Sequence, residues 1–230
     1  MKDQGLPASR VLDDLHEFYL RRHEGEGTLF EVWEKGAARG DSVTPSTYSE
    51  GYRSWMKELL RAALSRNDSK SLLSIGAGNA VIEGEMAEEG YDLLAVDVIE
   101  QAVELARSRG LRAECADVST WTPAEPWPVV YADGVLGHLY KARSRSLPIL
   151  GRIRSWLPSE GGTLVASNDA TRDGSDVERA PGVARFHWLS PAFLREQAVA
   201  AGFREVTCRT FDYTRPLSGR RTRSVLIAHA

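Results

Sequence analysis

The sequence predicts an α/β fold: a mostly parallel sheet with crossover helices, closed by an antiparallel C-terminal hairpin and preceded by a helical segment. Three observations carry this. From Ser71 onward, short apolar runs alternate with segments of helical period. The first run ends in a Gly-rich turn, Gly76-Ala77-Gly78. Near the C-terminus, two strand-like runs are joined only by the short turn Pro216 to Arg221. Strands alternating with helices need crossovers and so lie parallel, whereas two strands across a short turn pair antiparallel.

The elements follow in order. Ser9 is placed to cap a first helix whose apolar positions are Val11, Leu12, Leu15, Phe18 and Tyr19. Asp13 and Asp14 fall in its first turn and Arg21, Arg22 and His23 in its last, which suits the helix dipole, and Gly25 ends it. Leu29 to Ala38 reads as one or two further turns. Thr44 and Pro45 then start a longer helix with a stripe of Tyr48, Tyr52, Trp55, Met56, Leu59, Leu60, Ala63 and Leu64. Strands are predicted at Ser71–Ile75, Tyr91–Val96, Leu111–Cys115, Pro128–Ala132 and Gly162–Ser167. Helices are predicted over about 79–89, 99–109, 144–157 and from Pro191 to Gly202. Asp169 to Trp188 reads as a long polar loop, a length that is often functional. Arg204–Arg215 and Arg223–Ala228 form the terminal hairpin.

Composition bounds the function. The 230 residues are 42% hydrophobic and 27% charged, as in globular chains, with a net charge of −3. That charge gives no pull toward nucleic acid or an anionic membrane. No apolar run reaches the length of a membrane span or signal peptide. Cys115 and Cys208 are the two cysteines and read as separate buried thiols. Together these point to a cytoplasmic protein.

Chemistry concentrates where the runs end. A Gly-rich turn between strand and helix lets a ligand approach backbone N–H groups, and the helix N-terminus adds partial positive charge. Asp97 ends the next strand, where a doubly wound sheet sets a carboxylate beside the ribose of a bound nucleoside. The third glycine of a dinucleotide fingerprint is missing, since Val81 stands there. A nucleoside without a pyrophosphate therefore fits better than NAD.

Taken together, LLSIGAGNA, the acid in LLAVDV, AECADVSTW, VVYADGVLGHLY and EGGTLVASND make the chain resemble a class I S-adenosylmethionine-dependent methyltransferase from about Ser71 to Ala230. The resemblance implies a Rossmann-like seven-stranded sheet with its last strand inserted antiparallel. It implies that Gly76 and Gly78 approach the methionyl part of the cofactor and that Asp97 holds the ribose, with Ala77 and Val98 also in the cofactor-binding set. Ile99 would pack on the adenine, Asp117 would meet its amino group, and Val118 would lie beside the ring. Asp133 and Gly134, after the fourth strand, complete the cofactor set. Ser74 stands where members of the family commonly carry an acid, so the contact to the cofactor amine falls to Ser74 through water or to another group. The division expected is a helical cap or lid over 1–67 and an S-adenosylmethionine-binding domain over 68–230.

His138 lies in the loop after the fourth strand, over the ligand crevice. An imidazole there serves either as a general base or as a positioning group. Tyr48, Tyr52, Tyr140, Asn168 and His187 are the expected acceptor contacts. The aromatics Phe18, Tyr19, Phe30, Trp33 and Trp55 roof an apolar pocket or pack on the sheet. Arg172 and Arg179 are available to an anionic acceptor. Arg215, Arg220, Arg221 and Arg223 read as a solvated basic turn. Asp133, Asn168 and Asp169 are the one set considered for a hard cation, and no metal is expected. The Pro-Pro-Tyr/Phe signature of nucleic-acid amino-methylating enzymes is absent. The function expected is methyl transfer from S-adenosylmethionine to an oxygen or nitrogen of a small molecule. Two alternatives stay open, other sulfonium chemistry such as cyclisation and a non-catalytic binding module.

Overall fold

A computed structural model of the chain describes residues 8–183 and 185–230, with side chains from residue 12 onward. The N-terminal segment holds α1 (Ala8–Leu20), α2 (Leu29–Glu34), α3 (Pro45–Tyr48) and α4 (Glu50–Arg66). Then come β1 (Ser71–Ile75), α5 (Val81–Glu88), β2 (Asp92–Asp97), α6 (Glu100–Ser108), β3 (Arg112–Cys115) and β4 (Val129–Asp133). They are followed by α7 (Leu136–Leu139), α8 (Pro148–Trp156), β5 (Thr163–Asp169), β6 (Val177–Arg179) and β7 (His187–Leu189). The chain finishes with α9 (Pro191–Ala200), β8 (Glu205–Arg215) and β9 (Gly219–His229).

Seven strands form one sheet in the order β3-β2-β1-β4-β5-β9-β8. All neighbours from β3 to β5 are parallel, and β9 lies antiparallel to both β5 and β8. This is the sheet that the resemblance implied. The strand order reverses at β1, which pairs with β2 on one side and β4 on the other. A ligand crevice is expected beyond the carboxyl ends of those strands.

Alternate strand residues feed two apolar layers, because successive side chains point to opposite faces. Leu73, Val130, Leu164 and Leu226 pack with Ile149, Leu150 and Ile153 of α8 and Leu194 of α9. Leu72, Val129, Val165 and Val225 pack with Tyr52, Met56, Leu60 and Leu64 of α4 and Ile82 of α5. Met56 is fully buried, so truncation to Ala removes about 2–5 kcal/mol. Helix α4 is thus part of the sheet domain's core. The expected boundary at 67 falls behind it, and the segment that stands clear of the sheet core is α1 and α2, which build a separate aromatic cluster with Ile99 and Ala102.

Several local expectations change. Ser9 lies inside α1, and Arg21 to His23 lie beyond its end at Leu20. The Val11 side chain is outside those described. The helix expected from Thr44 breaks at Ser49, whose extended backbone and hydroxyl, accepting from Tyr52 N at 3.2 Å, start α4 afresh. A serine side chain competes for backbone donors in this way. The helix expected from Ser144 starts at Pro148, because Lys141 and Ser146 close a turn. The polar loop after Asp169 contains the β6–β7 hairpin. Cys115 is exposed and Cys208 half-buried, so neither is a core thiol. Among the described residues, no helix is long and apolar enough to cross a membrane.

Candidate active site

The Gly-rich turn forms one end of a cavity of about 650 Å³. Gly76 adopts φ +64°, and a Cβ there would sit 2.6 Å from Val135 Cγ2. Only glycine fits that backbone and that gap. Its N–H donates to Val96 O at 2.8 Å, tying the turn to β2. Asp97 braces the same turn from the end of β2. Its Oδ2 accepts from Gly78 N and its Oδ1 from Ile99 N, both at 3.0 Å. Burial raises the Asp97 carboxyl above its ordinary range, and the backbone donors of Gly78, Ile99 and Val98 pull the other way. Asp117 accepts from Ser119 N at 2.8 Å beyond β3. Gly76, Ala77, Gly78, Asp97, Val98, Ile99, Asp117, Val118, Asp133 and Gly134 all line this single cavity.

Ser74 does not reach the lining. It is buried in β1 and donates to Glu83 Oε1 at 2.6 Å. Glu83, in the first turn of α5, is itself buried and lines the cavity. Burial pushes its carboxyl up to about 7, against the Ser74 hydrogen bond, which lowers it.

The opposite wall is His138, on α7. Its Nε2 lies 3.0 Å from the Tyr19 hydroxyl of α1, and its Nδ1 is buried without a partner among the described residues. Phe186 closes on the ring at a centroid distance of 4.7 Å. Burial in these aromatics, with His187 nearby, drives the imidazole down to about 4, so it is neutral at physiological pH. The roof comes from α1 and α2. Tyr19 stacks on Phe30 at 5.3 Å, Trp33 meets both edge-on, and all three line the cavity with Phe18. A Thr28–Glu31 capping box starts α2 and sets the angle of this roof.

Beneath His138 lies a buried ion network. Arg223 of β9 donates from Nη2 to Asp133 Oδ1 at 2.7 Å and from Nε to Ser167 Oγ at 3.0 Å. The Tyr52 hydroxyl donates to the same Asp133 oxygen at 2.9 Å. Arg215 pairs with Asp169 and donates from Nε to the Tyr213 hydroxyl at 2.9 Å, which passes on to Asp169 Oδ1 at 2.6 Å. The carboxylates considered for a cation are therefore held by guanidinium groups. The expected solvated basic turn is also corrected. Arg221 and Arg223 are buried and Arg215 lines the cavity, and only Arg220 is exposed. The period of two from buried Val225 back to Arg223 and Arg221 is the signal in the sequence that places them inward.

None of the expected acceptor contacts lines the cavity; they build its outer support. Tyr48 donates to Thr214 O at 2.8 Å, and the Tyr140 ring meets His187 at a tilt, with centroids 4.8 Å apart. Asn168 accepts from Gly137 N at 2.9 Å and donates to His187 O at 3.0 Å, fixing α7 to β7. Arg172 is bound by Glu178 over the Trp188 ring. The lining comes instead from Tyr19, Phe30, Trp33, Phe186 and Trp188, together with Asp133, Asp169, Arg215 and Arg223 of the ion network. Tyr19 was legible as part of an aromatic helix stripe, but its pairing with His138 joins residues 119 apart in sequence.

A sheet that reverses at β1, a Gly-rich turn braced by a strand-end aspartate and a cavity beyond the strand ends define the fold of class I S-adenosylmethionine-dependent methyltransferases. The chain belongs to the methyltransferase domain family, whose model matches residues 48–207. It is 35% identical over 222 residues to a tabtoxin biosynthesis enzyme of Pseudomonas amygdali pv. tabaci, covering 95% of this chain and 87% of that one. Its fold is similar to that of the Burkholderia thailandensis 1,6-didemethyltoxoflavin-N1-methyltransferase, solved with 1,6-didemethyltoxoflavin and S-adenosylhomocysteine, with TM-score 0.66, 21% identity and coverage of 99% and 92%. It is similar also to the magnesium protoporphyrin IX methyltransferase of Synechocystis PCC 6803 with bound S-adenosylmethionine, with TM-score 0.63, 14% identity and coverage of 98% and 99%.

Proposed function

We propose that this enzyme methylates a nitrogen or oxygen of a small, aromatic-faced acceptor in natural-product biosynthesis, with S-adenosylmethionine as donor. The observation that carries the reading is one continuous cavity running from the Gly76–Gly78 turn and Asp97 to His138 and the aromatic roof. The residues present fit the donor. The Gly76–Gly78 turn bares its backbone to the cavity, Asp97 at the end of β2 offers a carboxylate to two ribose hydroxyls, and Ile99 and Val118 offer apolar flanks. The relatives named in tabtoxin and toxoflavin chemistry support a natural-product acceptor.

When bound, S-adenosylmethionine supplies an electrophilic methyl carbon on a sulfonium. The protein's task is to orient the nucleophile, exclude water and take one proton. The roof of Phe18, Tyr19, Phe30 and Trp33 excludes water. The acceptor's N–H or O–H proton has a route on this chain: the Tyr19 hydroxyl gives its proton to His138 Nε2 and takes one from the acceptor. His138 is neutral and therefore able to accept. Asp133 and Asp169, each compensated by an arginine, present no net charge of their own, which suits an uncharged acceptor.

Product analysis tests the reading. Incubation with S-adenosylmethionine and a panel of heteroaromatic amines and phenols should release S-adenosylhomocysteine with a methylated product. Release of methylthioadenosine would point to other sulfonium chemistry. No binding of S-adenosylhomocysteine to the wild-type protein would overturn the cofactor assignment.

A further inference from the structure

We infer that Glu83 receives the cationic amino group of S-adenosylmethionine, a task moved in this chain from β1 to α5, and that Ser74 orients it. The inference rests on the cofactor reading above. Glu83 is only 4% exposed, yet it lines the cavity beside the Gly-rich turn. One oxygen is fixed by Ser74 at 2.6 Å. Among the described residues it has no ion-pair partner. Arg109, the nearest candidate, is spent on Glu34 at 2.7 Å and on Asn79 O at 2.8 Å.

A buried carboxylate held only by one hydroxyl and its own backbone N–H is an expensive arrangement unless a cation arrives. The other carboxylates of the cavity are committed. Asp97 is assigned to the ribose and braces the turn through both oxygens, Asp133 is paired with Arg223, and Asp169 with Arg215. Asp117 stands at the far end of the cradle, beyond β3. The first turn of α5 also favours negative charge at Glu83 through its backbone N–H groups. The titratable and charged groups that act on Glu83 are Asp133 and Tyr131 of β4 and Arg109 beyond α6. With its carboxyl held up to about 7 by burial, Glu83 is partly protonated when the site is empty and ionises beside an ammonium.

The experiment is calorimetric titration with two probes, S-adenosylhomocysteine and 5′-methylthioadenosine, which lacks the amino-acid end. Wild type binding neither probe would fail the cofactor reading itself, a result distinct from those below. Glu83→Gln keeps a partner for Ser74 and should lower affinity for S-adenosylhomocysteine about tenfold or more, the scale of a charge-assisted bond. Its affinity for methylthioadenosine should stay unchanged, which also certifies the fold. Unchanged affinity of Glu83→Gln for S-adenosylhomocysteine overturns the inference. Should the variant lose both probes, the wild type decides. Titration near pH 7 in buffers of differing ionisation enthalpy should show release of about half a proton with S-adenosylhomocysteine and none with methylthioadenosine. Absent or equal release for the two probes overturns it as well.

Discussion

The Tyr19 hydroxyl, on the first helix, lies 3.0 Å from His138 Nε2, on the short helix α7 that follows β4. The aromatic roof and the candidate base are therefore joined by a direct contact.

That pairing makes kinetic predictions. His138→Ala should lower turnover by about 10²- to 10⁴-fold, the range of a true general base, with cofactor affinity unchanged. Tyr19→Phe should lower turnover less and keep the roof's stacking on Phe30. The sign of the pH effect follows from burial. With the imidazole at about 4, it stays neutral as pH falls from 7 to 5, so the rate at saturating acceptor should hold and then drop toward pH 4. A limb centred near 6.5 instead would mean a solvated imidazole and would demote His138 to positioning.

Asp97→Ala should weaken S-adenosylhomocysteine binding by about 1–3 kcal/mol, because the Gly78 and Ile99 donors lose their acceptor and the ribose loses its partner. Calorimetry of the variant measures this directly. Wild-type affinity would remove Asp97 from the cofactor site.

Arg223→Met should destabilise the fold by about 3–5 kcal/mol, since it leaves Asp133 buried without a counter-charge. Urea denaturation reads the loss. Adding Asp133→Asn to the same chain should recover part of it, and a double variant no more stable than Arg223→Met would show that the pair is not the origin of the effect.

Removal of the roof separates binding from chemistry. A chain starting near Thr44, without α1 and α2, should keep cofactor binding and lose methyl transfer. One starting near Asn67 should fail to fold, because it also removes Tyr52, Met56, Leu60 and Leu64 from the sheet core. Full-rate transfer by the Thr44 chain would detach the roof from the active site.

Turnover should persist in EDTA, because Arg223 and Arg215 already occupy the Asp133 and Asp169 carboxylates. Loss of activity in chelator with recovery on adding Mg²⁺ would contradict this.

The strand and helix pattern from Ser71 to Ala230 was legible because each element carries its own period, and the Gly-rich end of the cavity because Gly76, Gly78 and Asp97 sit at or just beyond strand ends. The ionic floor of the cavity was not. Tyr52 reads as a helix-stripe residue, and only the fold shows its hydroxyl directed at Asp133 from 81 residues away. Arg223 was misread as solvated because its neighbours Arg220 and Arg221 suggest a charged turn, whereas β9 extends through all of them. The break at Ser49 was hidden by a stripe that continues in register on both sides of it. Long-range polar pairing leaves no periodic trace in a sequence, whereas apolar burial does.

Arg223 follows its partners Ser167 and Asp133 by 56 and 90 residues. As the chain is synthesised, Asp133 therefore emerges long before its counter-ion, and β5 is left with an unpaired edge until β9 slots in beside it. Closing contacts of this separation is slow relative to local helix formation. The insertion of β9 seals the sheet edge and neutralises the floor of the cavity in the same event. A nascent or partly unravelled chain thus lacks the paired floor of the cavity, and correct strand insertion acts as a built-in check on its assembly.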